Sequence, residues 1–236
     1  MPVVLGASVA GASHTRDDLP CQDAFRVTEA DAALVVAVAD GLGSAALSDL
    51  GASAATEAAA ARAAELTNDP CRAAIEGVIA ARDALEKLAC VEDCEIRDLA
   101  CTLIVLVAAR RIGIAHVGDG AAVGLCDGEP YVLSPPAPSE YVNEVDSLAS
   151  DDWVDHVRPV LCIEAIDAVG VHTDGCQHAA IRHGKAHAGF FRPLFDYAGT
   201  GVGAEEGDEA LAQLLSGEKM SEHSDDDKTL VLAILR

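Results

Sequence analysis

Four acidic segments of the chain share one local pattern, in which an apolar run meets aspartate at a turn. Asp40-Gly41, Asp119-Gly120 and Asp174-Gly175 each follow such a run, and residues 225–229 precede the closing run 230–235. A carboxylate at the end of a buried strand destabilises the fold unless a cation or a hydrogen-bond donor interacts with it. Aspartate before glycine is also ordinary turn chemistry. Together, however, four such segments predict a centre in which oxygen ligands hold hard divalent cations.

The elements that position these carboxylates follow from hydrophobic periodicity. Strands are predicted over residues 3–10, 23–28, 33–39, 101–108, 112–117, 121–125, 131–133, 165–172 and 229–235, and helices over 44–66, 71–88, 176–183, 190–197 and 206–215. Residues 14–22 and 135–155 are predicted to be irregular. The four strands within 101–133 are separated by short turns, so we expect an antiparallel meander. This order is not the βαβ alternation of a parallel sheet. It predicts an α+β layered sandwich in a single domain over residues 1–236.

The net charge, the cysteines and the length of the apolar stretches indicate which partners and which cellular compartment to expect. The net charge is −23, with 39 acidic residues against 16 Lys plus Arg, which argues against binding nucleic acid or anionic lipid. The eight cysteines show no zinc-type pair of pairs. No signal-peptide pattern opens the sequence, and no apolar stretch reaches roughly 18 residues free of charge. We therefore expect free thiols and a cytoplasmic protein that makes no membrane contact.

A dinucleotide-binding site is the first alternative to the metal centre. Residues 41–46 match the pattern G-x-G-x-x-A after a predicted strand and before a predicted helix. Asp40, however, would place a negative charge beside the pyrophosphate. The pattern also requires a second strand with an acidic residue about 20 positions later, where helix is predicted instead. The metal centre is the better interpretation.

The order of these motifs resembles that of the metal-dependent protein phosphatases of the PP2C type over nearly the whole chain. The segments that carry the resemblance are Gln22-Asp23-Ala24, residues 38–43, Cys101-Thr102-Leu103, residues 115–119, Thr173-Asp174-Gly175 and residues 226–229. Ser13-His14, Cys21-Gln22-Asp23 and Tyr141-Val142-Asn143-Glu144 are most similar to a compact bacterial subgroup. The resemblance implies a four-layer αββα sandwich, with two mostly antiparallel sheets flanked by helices.

The resemblance also implies a role for each acidic motif. Asp40 would bridge two Mn²⁺ or Mg²⁺ ions, and Gly41 would offer its backbone carbonyl to one of them. Asp174 and Asp226 would bind the other ion, and Asp23 would hold metal-bound water. Asp119, with Asp174, would be a candidate for a third ion. A metal-bridged hydroxide would then attack phosphoserine or phosphothreonine in line, so Asp40 and Asp174 count as catalytic residues.

Several positions depart from the family pattern. The family usually has an arginine shortly before the first acidic motif to bind phosphate, and here His14 and Arg16 are the two candidates for that role. Leu42 occupies the place where some members carry a proton-donating histidine. Gly120 stands where serine is usual, with no arginine after it, and Gln22 replaces the commoner acidic neighbour of Asp23.

Two further hypotheses stand beside a phosphatase, and these departures motivate the first of them. One is a catalytically weak PP2C-like domain that binds a phosphorylated partner or regulates a kinase. The other is a metal hydrolase for small phosphorylated molecules. For the phosphatase we expect a monomer that acts on a phosphorylated protein, with a cognate Ser/Thr kinase as a further partner. His172 is expected to be structural, and Trp153 to anchor the long irregular segment.

Overall fold

The computed structural model describes residues 2–30, 32–137 and 145–236. The segment 141–144, which contributes to the resemblance, lies outside the described residues. The strands are β1 (Val3–Val9), β2 (Ala24–Ala30), β3 (Ala33–Ala39), β4 (Leu103–Ala108), β5 (Ile112–Val117), β6 (Ala121–Cys126), β7 (Glu129–Ser134), β8 (Arg158–Cys162), β9 (Ala168–His172), β10 (Ile181–Arg182), β11 (Lys185–Ala186) and β12 (Lys228–Ile234). The α-helices are α1 (Ala12–Asp17), α2 (Ser48–Ala64), α3 (Pro70–Glu92), α4 (Gln177–Ala180), α5 (Ala188–Gly199), α6 (Ala204–Leu215) and α7 (Glu218–Ser221).

The chain divides into two compact units, each built from separate stretches of sequence. Unit one contains Met1–Cys21, Ala121–Pro135 and Glu164–Arg236, and unit two contains Gln22–Gly120 and Pro136–Ile163. Each unit has its own five-stranded sheet and its own apolar core. The prediction of a single domain stays a prediction.

Unit two is an antiparallel sheet covered by two long helices. Its strand order is β2-β3-β4-β5-β8. Every residue of β3 and β4 is buried, as expected for strands made of Val, Leu, Ile and Ala. The helices α2 and α3 pack together with alanine at most contacts, and a Cβ added at Gly77 would lie 3.0 Å from the Ala59 carbonyl oxygen. Small side chains therefore let these helices lie close to one another and to the sheet.

Unit one is a second antiparallel sheet, of order β1-β12-β9-β6-β7. Helices α5 and α6 supply apolar side chains to its core, among them the buried Phe191 and Phe195. α6 approaches β1 so closely that a Cβ on Gly207 would lie 2.3 Å from Leu5. The predicted α+β class, with two antiparallel sheets flanked by helices, is confirmed.

The predicted meander is wrong at one point. β5 pairs with β4 and β8, whereas β6 pairs with β7 and β9 in the sheet of unit one. Between β5 and β6, Gly118 has φ +107°, a backbone conformation that favours glycine and interrupts the strand. β8 was not predicted, because Pro159 removes a ladder donor and is tolerated at the sheet edge where β8 lies. Residues 14–22 were predicted to be irregular, but the first part of this segment lies in α1.

Two further properties concern the helices and the cysteine side chains. None of the helices within the described ranges has the length and apolar character that crossing a bilayer requires. The described residues form no disulfide bond. Burial raises the pKa of the Cys101 thiol to about 12, so this side chain behaves as a small apolar core residue.

Candidate active site

Asp40 lies at the end of β3, where its backbone is held on both sides by Thr102. The Asp40 N–H donates to Thr102 Oγ1 at 3.1 Å, and the Thr102 N–H donates to the Asp40 carbonyl at 2.8 Å. The next residue, Gly41, donates its N–H to the Gln22 carbonyl at 3.1 Å. A Cβ on Gly41 would lie 2.7 Å from that oxygen and 2.8 Å from the Ser48 carbonyl. Only glycine fits this turn, so the position of Asp40 is tightly defined.

Asp23 is brought beside Asp40 by the register of β2 and β3. Ala24 pairs with Ala39, and the Gly41–Gln22 hydrogen bond continues that register past the strand ends. Asp23 is therefore directly opposite Asp40, where paired residues have Cβ atoms roughly 4.5–5.5 Å apart. Asp23 is only 8% exposed. Two carboxylates at neighbouring strand ends, one of them buried, have the chemistry to bind a cation.

Asp119 follows β5 in a turn that is shared with Thr102 and Arg158. A Cβ on Gly118 would lie 2.5 Å from Thr102 Cβ. Arg158 Nη2 donates to the Gly118 carbonyl at 2.6 Å. Burial lowers the pKa of Arg158, while the charges of Asp146 and Asp119 act in the opposite direction. The structure thus places a cationic side chain near Asp119.

In unit one, Asp174 lies on a segment that packs against the closing acidic segment. The Thr173 N–H donates to the Thr229 carbonyl at 3.2 Å, and the Thr229 N–H donates to Thr173 Oγ1 at 3.0 Å. A Cβ on Gly175 would lie only 1.9 Å from the Asp227 carbonyl oxygen. These contacts fix the Asp174 turn against residues 226–229.

Asp226 is held by its own neighbours in sequence. Its Oδ1 accepts the Asp227 N–H at 2.9 Å, and its carbonyl accepts from the buried Lys228 Nζ at 2.7 Å. Lys228 therefore places a positive charge within the predicted ligand segment, and nothing in its sequence position alone indicated that its amine would turn back to Asp226.

The N-terminal candidates His14 and Arg16 have different surroundings. His14 Nδ1 lies 2.9 Å from both carboxylate oxygens of Asp227, with the two side chains 12% and 3% exposed. The Gly11 N–H also donates to Asp227 Oδ1, at 2.7 Å. Arg16 is 71% exposed and pairs with Asp17. The structure brings His14 to the closing acidic segment and leaves Arg16 at the surface, and the phosphate-binding role of either residue stays a prediction.

His172 and Trp153 occupy structural positions. His172 Nδ1 donates to the Thr173 carbonyl at 2.8 Å. Burial lowers the pKa of His172 to about 4, so the ring is neutral near pH 7. Trp153 packs against the core of unit two, with the Arg82 guanidinium 6.0 Å from its ring. Arg82 also donates to the carbonyls of Leu148 and Ser150, which anchors this part of the long segment.

The predicted ligand set contains oxygen donors alone, which suits Mg²⁺ or Mn²⁺. Unit two contributes Asp23, Asp40, Gly41 and Asp119, and unit one contributes Asp174 and Asp226. Across the described ranges, no group of three or more His, Cys, Asp or Glu side chains has metal-site geometry. The residues fit the cations by donor chemistry, and the assignment of ligands stays a prediction.

A cleft of about 800 Å³ in unit two lies away from Asp40 of the same unit. It is lined by Ala33, at the start of β3, and by Arg110 and Arg111 of the β4–β5 turn. Asp40 lies at the opposite end of β3. Although this cleft is large, its position excludes it as the candidate active site.

Comparison with known proteins identifies the family. The sequence profile of the protein phosphatase 2C family matches residues 10–216. The chain is 32% identical over 248 aligned residues to the serine/threonine-protein phosphatase 3 of Escherichia coli strain K12, and the match covers 97% of this chain and 96% of the relative. Its fold is similar to that of the serine/threonine phosphatase Stp1 from Staphylococcus aureus, with TM-score 0.66 and 14% identity over 100% of this chain and 96% of that one. It is also similar to the S. agalactiae serine/threonine phosphatase, with TM-score 0.64 and 15% identity over the full length of both chains. A profile match over most of the chain, with a relative of this identity along its whole length, shows that the chain belongs to the protein phosphatase 2C family.

Proposed function

We propose that the protein is a phosphatase that depends on Mn²⁺ or Mg²⁺ and hydrolyses phosphoserine and phosphothreonine in other proteins. The observation that carries the proposal is the Asp40-Gly41 turn. Its backbone is held by Thr102 and Gln22, it leaves no room for a Cβ, and Asp23 is directly opposite Asp40. A rigid pair of carboxylates is costly to build without a cation, because like charges repel at this distance.

In this proposal the chain's own residues hold and orient the reacting groups. Asp40, the Gly41 carbonyl, Asp174 and Asp226 bind two cations, Asp23 orients water, and Asp119 with Asp174 is available to a third cation. The bound cations supply a lowered pKa for water and neutralise charge on the phosphoryl group. The rigid turns contribute positioning, since ligands that are already ordered need no rearrangement on binding.

The proposed partner is a phosphorylated protein, and a cognate Ser/Thr kinase would supply it. The protein acts in this proposal as a monomer in the cytoplasm. Support for a protein substrate comes from the similarity to the E. coli relative, a serine/threonine-protein phosphatase. His14 or Arg16 would bind the phosphate group of the substrate.

The decisive experiment follows phosphate release from a phosphothreonine peptide by the purified chain in EDTA, Mg²⁺ or Mn²⁺. Turnover is expected only with metal, and it should be lost in both Asp40→Asn and Asp174→Asn. Asp83→Asn, which alters an exposed carboxylate of α3, is the matched control and should keep full activity. Normal turnover of Asp40→Asn at saturating Mn²⁺ would refute the site assignment.

Two additional measurements separate the proposal from its rivals. Calorimetric titration with Mn²⁺ should give binding to the wild type and much weaker binding to Asp40→Asn. Metal binding without hydrolysis of any phosphoester would support the binding-domain hypothesis. Hydrolysis of p-nitrophenyl phosphate but of no phosphopeptide would support a hydrolase for small molecules.

A further inference from the structure

A cavity of about 420 Å³ in unit one lies outside the candidate active site. It is formed where α5 begins, where α6 ends and along α7. Four apolar side chains line it, of which Ala179 is the smallest. Met220 is buried, Phe190 packs edge-on against Phe191 with ring centroids 5.1 Å apart, and Leu214 is 41% exposed. The cavity therefore presents apolar surface to solvent within a preformed recess.

The charge around this cavity is opposite to that of the chain as a whole. Arg182 and Lys219 line it and are exposed, and neither has an ion-pair partner among the described residues. Glu218 is the one carboxylate among the described lining residues. In a protein of net charge −23, two cationic side chains without partners beside an apolar recess are arranged to receive a negative charge.

We propose that this cavity binds a small amphipathic organic anion. The apolar body of the ligand packs on Phe190, Leu214 and Met220, and its carboxylate, phosphate or sulfonate is held by Arg182 and Lys219. The volume lies at the lower end of the range of roughly 300–1,000 Å³ that is typical of small-molecule sites. The cavity accordingly suits a compact molecule with one apolar group rather than a protein segment.

The cavity is linked by hydrogen bonds to the closing acidic segment. The Met220 carbonyl accepts the N–H groups of His223 and Ser224, at 3.0 and 3.2 Å. The Ser224 hydroxyl in turn accepts the Asp226 N–H at 3.1 Å. A ligand seated on Met220 and Lys219 therefore acts on the segment that leads to Asp226. We expect its binding to change the affinity for Mn²⁺, and this second consequence rests on the proposed function.

The test uses 1-anilinonaphthalene-8-sulfonate, an aromatic sulfonate whose fluorescence rises in an apolar site, and its uncharged analogue N-phenyl-1-naphthylamine. Fluorescence titration of the full chain in EDTA is expected to show one sulfonate site. In the double variant Arg182→Glu/Lys219→Glu the Kd should rise at least about tenfold, because a hydrogen bond to a charged group contributes that much. The uncharged analogue should bind more weakly to the wild type and respond little to the charge reversal.

Lys185→Glu is the matched control, since Lys185 is an exposed cation on β11, close in sequence to Arg182, that does not line the cavity. It should leave the sulfonate Kd within about twofold. Circular dichroism and an unchanged urea midpoint check that each variant is folded. An unchanged Kd in the double variant, or equal weakening by Lys185→Glu, would overturn the proposed site.

The coupling is tested separately by titrating Mn²⁺ calorimetrically with and without saturating sulfonate. A change in the Mn²⁺ Kd that disappears in the double variant supports coupling, and an unchanged Kd refutes it. Since Mn²⁺ binding without sulfonate tests the metal centre alone, failure of the cavity proposal and failure of the proposed function give different results.

Discussion

Replacing His14 by leucine should destabilise the protein by about 1.5–3 kcal/mol, the usual contribution of a hydrogen bond to a charged group. His14 Nδ1 lies 2.9 Å from both oxygens of Asp227, and both side chains are largely buried. Leucine fills a similar volume, so the cavity contribution is small. What remains is a buried carboxylate that has lost the ring N–H and keeps the donor at Gly11. The expected loss is therefore electrostatic in origin.

The matched variant is Asp227→Asn, which keeps the shape of the side chain. Its amide oxygen still accepts from the Gly11 N–H, and its amide N–H can donate to His14 in the other ring tautomer. We expect a loss of less than about 1 kcal/mol, because the contacts with Gly11 and His14 both survive this change. His14→Leu should therefore lower the free energy of unfolding much less in the Asp227→Asn background than in the wild type.

The assay is urea unfolding in EDTA, followed by far-UV circular dichroism, so that metal binding does not contribute to the measured free energy. A double-mutant cycle over His14 and Asp227 should give a coupling energy above about 1 kcal/mol. Additive single-variant losses would show that the pair contributes nothing beyond its separate contacts, and the reasoning would be refuted. A loss in Asp227→Asn equal to that in His14→Leu would refute it as well.

Three further predictions concern stability and local structure. Gly175→Ala should lower the free energy of unfolding in urea by at least about 2 kcal/mol, because the added Cβ would lie 1.9 Å from a backbone oxygen. The control is Gly199→Ala, whose added Cβ has no neighbour within 4 Å and which should not lower the free energy of unfolding. Burial lowers the pKa of His172 to about 4 from an ordinary 6.5, so the unfolded state takes up a proton first as the pH falls. The free energy of unfolding should then fall by about 3 kcal/mol between pH 6.5 and 4, and this slope should be smaller in His172→Gln. Arg82→Met removes two hydrogen bonds to the backbone of residues 148–150. The fluorescence emission of Trp153, the chain's one tryptophan, should then shift to the red. Unchanged emission would show that Arg82 does not anchor this segment.

Local patterns predicted the part of the site that lies on one continuous stretch of sequence. β3 is a run of apolar residues that ends at Asp40, so its burial and its end can both be read from the residues themselves. The contact of Asp40 with Thr102 could not be predicted in this way, because Thr102 is 62 residues away in the sequence. The resemblance singled out Thr102, but only the structure shows that it holds both backbone groups of Asp40.

Other features depend on distant contacts and carry no local signal. The pairing of His14 with Asp227 joins residues 213 positions apart, and the contact of Arg158 with Gly118 comes from a short edge strand that contains proline. The change of sheet between β5 and β6 likewise depends on which strands pair, and periodicity does not report pairing. The predicted meander failed for this reason, although the strands themselves were placed correctly to within a few residues.

The departures from the family pattern are weak evidence that the site has lost its catalytic activity, once the structure is considered beside the sequence. Gly120 lacks both the usual serine and a following arginine, yet Arg158 places its guanidinium against the neighbouring Gly118 carbonyl, near Asp119. A positive charge has thus not been lost from this turn, since a different strand provides it. In the same way, His14 is a histidine whose ring is held by a buried carboxylate. Loss of function usually removes a costly buried polar pair such as that of His14 with Asp227, because a member left unpaired destabilises the fold with no compensating benefit. Their presence in satisfied arrangements favours catalysis over binding without turnover.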